Sequence, residues 1–312
     1  MSSKICIWKK VPGIVSRFND IIYSYPKSLP CQDILIYFGG DVQDIQECME
    51  RHPDSKKYAE WSLENTARIL STNFPNKHII VIRPTRIHNK VYGSFSCFDN
   101  FVSTNEYGDP TFSPSHNALK HLQELIKSSS QNLKLYKDEN PTDLINNKTR
   151  LTLMGFSKGC VVLNQFLHEF HNHLSNPDSD LEITNFVKLI ESMWWLDSGH
   201  GRSKDTWITN KPILESFVKL SNIFSKIMRK LSVLVSVMLN TCNVTEIEVH
   251  VHVTPYQICD LRRPWIREEE NQFCCLLRSM EVPVKRILHF ADKPRNLTLH
   301  FNLLTAIRNY IQ

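Results

Sequence analysis

The feature that most constrains this chain is a pentapeptide in a particular setting. Gly155-Phe156-Ser157-Lys158-Gly159 follows the apolar run Leu151 to Met154 and precedes a helix-forming stretch, Val161 to Phe170. A serine with glycines two residues to either side, between strand and helix, has the pattern of a nucleophile elbow. Such a turn is sharp enough to strain the serine backbone, and glycines let strand and helix approach without a Cβ clash. The serine hydroxyl then emerges at the carboxyl edge of a sheet, where α/β folds keep their sites. Six of the nine glycines fall in pairs, Gly39/Gly40, Gly155/Gly159 and Gly199/Gly201, each just past a predicted strand. A glycine turn used for packing alone is the other reading.

The rest of the chain alternates in the way this setting requires. Ile34 to Phe38 and His78 to Ile82 are continuous apolar runs, the mark of strands buried on both faces, with helical spacing from about Lys57 to Leu70 between them. Gly93 to Pro114 has no period and reads as a loop; Ser115 caps a helix of about fifteen residues, and a polar connection, Ser128 to Lys148, follows. Phe186 to Leu196 is a further apolar run ending at Asp197, and Ile247 to Thr254 alternates Val249, Val251 and Val253 with His250 and His252. Helix Trp265 to Met280, strand Val284 to Phe290 and helix Phe301 to Ile311 complete the order. The expectation is an α/β fold with a mainly parallel central sheet and helices on both faces.

At 312 residues one large domain suffices. We place it at residues 31–312, with residues 1–30 as an N-terminal extension. That extension carries Lys4, Lys9, Lys10 and Arg17 before the first acid, Asp20, a weak targeting character. Residues 213–239 have an amphipathic helical pattern and are read as part of a cap inserted at about 203–245; an ordinary pair of core helices is the other reading. The longest uncharged run there, Leu231 to Val244, is too short to cross a bilayer, so no transmembrane segment is expected. The net charge of +5 arises from 37 basic and 32 acidic residues scattered along the chain, so no nucleic-acid partner is expected. Nine cysteines without a CxxC pair read as free thiols in a reducing compartment, and the sequons at Asn147, Asn243 and Asn296 as chance.

An acyl-transferring serine needs a base, an orienting acid and donors for the oxyanion. His300, past the last predicted strand at the entrance to the terminal helix, is the expected base, whereas His289 lies inside that strand and reads as core. The acid is expected at Asp260, after the strand ending at Thr254, with Asp197 as the second candidate. The N–H groups of Lys158 and Gly40 are the expected oxyanion donors, with Asp41 beside Gly40. Cys160 reads as a packed small residue. His250-Val251-His252 could project two imidazoles toward zinc, but no third ligand stands at a fixed spacing, so neither a metal nor another cofactor is expected.

Four segments carry a more specific likeness: Ile36 to Asp44 (IYFGGDVQD), Gly155 to Phe166 (GFSKGCVVLNQF), Trp194 to Gly201 (WWLDSGHG) and His250 to Ile266 (HVHVTPYQICDLRRPWI). Together they resemble the chromosome 2 open reading frame 69 family, α/β-hydrolase-like mitochondrial proteins. The resemblance implies an α/β-hydrolase-like fold and a mitochondrial address, and it carries onto Ser157, Asp197, His200, Asp260 and His300. The function expected is that of a serine hydrolase, esterase-, thioesterase- or lipase-like, acting on an acyl or lipid-like small molecule through Ser157, Asp260 and His300. The alternative is a non-catalytic protein of the same fold that binds a partner or metabolite in mitochondria; a zinc-dependent hydrolase built on His250 and His252 is a third reading.

Overall fold

The four strands Ile34–Phe38 (β3), His78–Ile82 (β4), Leu151–Phe156 (β9) and Ile190–Leu196 (β10) lie side by side and parallel at the centre of an eight-stranded sheet. The computed structural model describes residues 4–28, 30–90, 93–106, 108–136, 143–176, 180–199, 204–221 and 247–311. Strands Ile5–Pro12 (β1), Phe18–Ser24 (β2), Glu248–Val253 (β11) and Val284–Leu288 (β12) extend the sheet on either side, in the order β1-β2-β4-β3-β9-β10-β11-β12. Pairing is parallel except at β1-β2 and β2-β4. The apolar runs behave as two-sided strands: Ile34, Ile36 and Phe38 enter one core, while Leu35 and Tyr37 enter the other. The sheet is thus sandwiched between two hydrophobic layers, as an α/β-hydrolase-like fold requires.

Residues expected as an N-terminal extension belong to this sheet. Trp8, Val11, Ile21 and Tyr23 are buried in the first core and Ile22 in the second, whereas Lys9 and Lys10 are exposed. The alternation makes residues 5–24 an antiparallel edge hairpin, and charged residues on the outermost strand protect that edge from further pairing.

The helices are Gln46–Arg51 (α1), Leu63–Asn73 (α2), Ala118–Tyr136 (α3), Cys160–Ser175 (α4), Leu181–Val187 (α5), residues 211–221 (α6), Pro255–Ile258 (α7), Trp265–Ser279 (α8) and Leu297–Ala306 (α9). α3 runs into what was expected as a polar connection. The expected loop 93–114 contains parts of two small hairpins, Arg86–Lys90 (β5) with Gly93–Cys97 (β6) and Ser103–Thr104 (β7) with Pro110–Thr111 (β8). Of the expected cap, α6 buries Leu214 and Phe217 in the first core, Phe217 against Phe170 of α4; residues 222–246 lie outside the described residues, as does His200. Among the described residues no helix is long and apolar enough to cross a membrane.

The site follows from strand order. From β3 the chain goes to β4 on one side, and β9 then forms on the other, so the sheet changes direction between β3 and β9. In open α/β sheets ligands bind beyond the strand ends at such a switch point. Ser157 follows β9 there.

Candidate active site

β9 ends at Phe156, and Ser157 takes φ +57°, the left-handed conformation a serine rarely adopts. The turn Ser157–Gly159 leads directly into α4. Sterics explain the flanking glycines. A Cβ on Gly155 would stand 2.8 Å from Cys160 Cα, and one on Gly159 only 2.0 Å from the Phe38 carbonyl oxygen. Only glycine lets the start of α4 pack this closely on β9 and on the end of β3.

His300 reaches the serine from the far end of the chain. Asn296 caps α9 by accepting the Thr298 N–H at 2.7 Å, which places His300 in the first turns of that helix. Phe301 then locks the helix by stacking on Tyr58 and Trp61. The imidazole sits between Phe156 and Tyr256, with ring centroids 4.5 and 4.9 Å away. Its Nε2 is 2.7 Å from Ser157 Oγ, and its Nδ1 is 2.6 Å from Asp197 Oδ2.

Asp260 was the expected acid; the structure instead puts Asp197 against His300. Pairing Leu196 with Phe156 sets Asp197 level with Ser157 on the neighbouring strand, while Asp260 lies beyond α7. Asp197 is wholly buried at φ +48°, and it also accepts the Thr254 N–H at 2.7 Å and the Thr254 hydroxyl at 2.6 Å. A carboxylate only accepts, so Nδ1 of His300 carries the proton and Nε2 of the neutral ring is left to accept from the Ser157 hydroxyl. Asp260 meets Arg262, Arg263 and Arg295. Burial would raise its carboxyl, but the Arg262 N–H and the Arg263 and Arg262 side chains outweigh burial and hold it below the ordinary carboxylate range. Its influence on the site is indirect. Arg295 donates to the Tyr256 carbonyl at 2.8 Å and covers the Tyr256 ring that packs on His300, and Arg263 donates to the Gly199 carbonyl at 2.9 Å, two residues past Asp197.

Of the two expected oxyanion donors, one is otherwise engaged. The Gly40 N–H donates to Gln43 Oε1 at 2.8 Å, and that buried amide also ties Tyr37, Trp61 and Thr66. Gly40 contributes closeness instead, since a Cβ there would stand 2.7 Å from Ser157 Cβ. Lys158 lies in the opening turn of the helical segment, where backbone N–H groups lack intrahelical acceptors. The Cys160 thiol is pushed up to about 12 by burial and points at the Gly155 carbonyl, a packing role.

The histidines of β11 form a stack. Trp194 lies 3.7 Å from the His250 ring, His250 Nε2 meets Glu248 at 3.1 Å, and His252 Nδ1 meets His289 Nε2 at 2.8 Å. Burial holds all three rings down, His252 to about 2 and His250 and His289 to about 4. Among the described residues no three His, Cys, Asp or Glu side chains stand together as a metal-binding group. Thr254, Tyr256 and Gln43 are not singled out by the sequence reading, but all three lie inside segments that carry the family likeness, Gln43 in Ile36 to Asp44 and the other two in His250 to Ile266.

Comparison with solved structures finds the esterase Est22 (TM-score 0.46, 12% identity, covering 99% of this chain and 80% of that one) and the Bacillus cereus carboxylesterase (TM-score 0.46, 10% identity, covering 95% and 94%). Comparison of sequences finds the mitochondrial protein C2orf69 homolog of Mus musculus, 35% identical over 86% of this chain and 76% of that protein. The mitochondrial protein C2orf69 of Homo sapiens is 34% identical over 88% and 74%. The sequence model of the C2orf69 family matches residues 8–149, 138–227 and 224–283, a span that includes the elbow, Asp197 and Asp260 with Arg262 and Arg263. With the family model matched over most of its length, this chain belongs to the C2orf69 family.

Proposed function

We propose that this protein is a serine hydrolase that cleaves an ester or thioester of a small acyl molecule. The observation that carries the reading is the 2.7 Å contact between His300 Nε2 and Ser157 Oγ, with Asp197 on the other ring nitrogen. The chemistry follows from those atoms. As Ser157 Oγ attacks the acyl carbonyl, its proton passes to His300 Nε2, and Asp197 stabilises the imidazolium that forms. The Lys158 N–H, with a second donor that we assign to Asp41, holds the oxyanion; its collapse expels the alcohol or thiol, which takes the proton from His300. Water then repeats the sequence on the acyl-enzyme, and the acid leaves.

The test is labelling by a fluorophosphonate probe. Labelling of wild type that is lost in Ser157→Ala and His300→Ala supports the reading; a well-folded wild type that takes no label refutes it. One observation favours the non-catalytic alternative, since Ser157 is only 2% exposed, and the same probe decides between the two. Mitochondrial residence is part of the proposal, because the relatives are named mitochondrial proteins. Fractionation of cells expressing the chain from its natural locus would place it, and exclusion from the mitochondrial fraction would overturn that part.

A further inference from the structure

Among the described residues, buried charges are ion-paired or accept several hydrogen bonds, with one exception. Glu270 pairs with Arg286, Asp260 with three arginines, Asp44 with Arg83, and Glu169 and Glu269 each accept several hydrogen bonds. Lys158, also only 2% exposed, is the one lysine or arginine in the buried class among the described residues. Its ammonium donates to the Gly108 carbonyl at 3.0 Å and meets no carboxylate of a described residue. Cys97 does not supply the missing charge, since burial raises its thiol and keeps it neutral. An ammonium has three N–H donors, and one carbonyl uses one of them. A buried cation left this way is costly, and such groups are usually paired or neutralised.

The position of this cation is informative. Lys158 follows the serine directly, and its Nζ lies by the turn between β7 and β8, 3.4 Å from where a Cβ on Gly108 would stand. That turn is joined to the nucleophile through three contacts: Gly108 packs on the Ser96 carbonyl, the Ser96 hydroxyl donates to the Gly40 carbonyl at 2.9 Å, and Gly40 lies against Ser157. The ammonium is therefore tied to the Gly40 side of the serine, through Gly108, Ser96 and Gly40.

We infer that Lys158 is a specificity residue that selects acyl groups ending in a carboxylate, so that the substrate is a dicarboxylic half-ester or half-thioester. The carboxylate takes the two N–H donors that Gly108 leaves and supplies the absent counter-charge. This inference rests on the hydrolase reading and adds the chemistry of the substrate to it. A surface lysine would attract anions weakly and lose the effect in salt, whereas a pair formed at a buried ammonium persists.

The experiment compares the 4-nitrophenyl monoesters of glutaric and adipic acid with 4-nitrophenyl hexanoate and heptanoate, background hydrolysis subtracted. Wild type should prefer the anionic esters at least tenfold in kcat/KM, about 1.4 kcal/mol, and keep that preference at high salt. Lys158→Met should bring the ratio to within about twofold whatever the absolute rates, and Lys158→Arg should retain most of it. A wild type indifferent to acyl charge, or a Lys158→Met variant that loses both ester classes in parallel, overturns the inference. Lys158→Gln gives a second reading of the ratio should the methionine variant fail to fold. Fluorophosphonate labelling separates the two levels: a labelled but charge-indifferent enzyme sinks only the inference, and an unlabelled, inactive one sinks the hydrolase reading with it.

Discussion

Replacing Asp197 by asparagine tests which carboxylate serves His300. Asp197 accepts three hydrogen bonds, one at Oδ1 from the Thr254 N–H and two at Oδ2, from the Thr254 hydroxyl and His300 Nδ1. An asparagine has one acceptor oxygen and must turn its NH₂ toward one of these sides. If the NH₂ faces the Thr254 N–H, two donors meet in a fully buried spot, at a cost of about 1–3 kcal/mol. If it faces His300, the imidazole is driven to carry its proton on Nε2, where it can no longer accept from Ser157. In either orientation the imidazolium of the transition state loses its negative partner. By comparison with other serine hydrolases of this geometry the expected loss is about 10⁴ in kcat, or about 5.5 kcal/mol. Ester hydrolysis and the second-order rate of fluorophosphonate labelling, measured beside a denaturation curve, separate this from unfolding. Asp260→Asn is the control: it removes a charge that acts through Arg295 and Tyr256 and should cost about tenfold. An Asp197→Asn variant within tenfold of wild type, with Asp260→Asn the crippled one, would return the acid to Asp260 and refute the reasoning.

Gly159→Ala should fail to fold or lose more than about 4 kcal/mol, because its methyl would overlap the Phe38 carbonyl oxygen; a soluble variant with a wild-type unfolding midpoint would refute this. Phe301→Ala, which empties the contact with Tyr58, Trp61 and Phe156, should cost about 3–5 kcal/mol in urea unfolding and slow labelling of Ser157 by loosening α9; unchanged values for both would show that the anchor is dispensable. The histidine stack gives stability a pH dependence. His250 and His289 titrate near 4 when folded against an ordinary value of 6.5, so the unfolded chain binds more protons and stability is lost as pH falls from about 6.5 toward 4. Each contributes up to about 3 kcal/mol of that loss, with His252 extending it toward pH 2. Denaturant titrations at pH 7, 6, 5 and 4 should show the decline, and His289→Gln should flatten it; a His289→Gln slope equal to wild type would remove His289 from the account.

Much of this fold can be read from strings of residues, because a strand buried on both faces is apolar along most of its length. Ile34 to Phe38, His78 to Ile82 and Leu151 to Met154 are of this kind, and the glycine spacing around Ser157 follows from steric distances of 2.0 and 2.8 Å. The β1-β2 hairpin is hard to read because its outer strand is half exposed, and the lysines of that strand look like a basic extension when read without a partner strand. Distance along the chain hides the site for a related reason. His300 is 143 residues from Ser157 and could be placed only because a terminal helix past the last strand has few other places to go.

The choice between the two acids turned on information that sequence order does not carry. Both Asp197 and Asp260 follow a strand, and Ser-acid-His is satisfied by either, so order alone leaves them equal. What separates them is register: β10 lies next to β9, and its last residue is level with the residue before the serine, so the next side chain falls within reach of the base. The counter-charges nearby point the same way. Asp260 is followed by Arg262 and Arg263, which bind it in the folded protein, whereas no lysine or arginine of a described residue pairs with Asp197. A buried carboxylate must find its donors somewhere, and one without a local cation turns to what the neighbouring elements bring, here the Thr254 N–H, the Thr254 hydroxyl and the imidazole of His300. The arginines beside Asp260 are therefore a signal, legible in the sequence, that its charge is claimed locally.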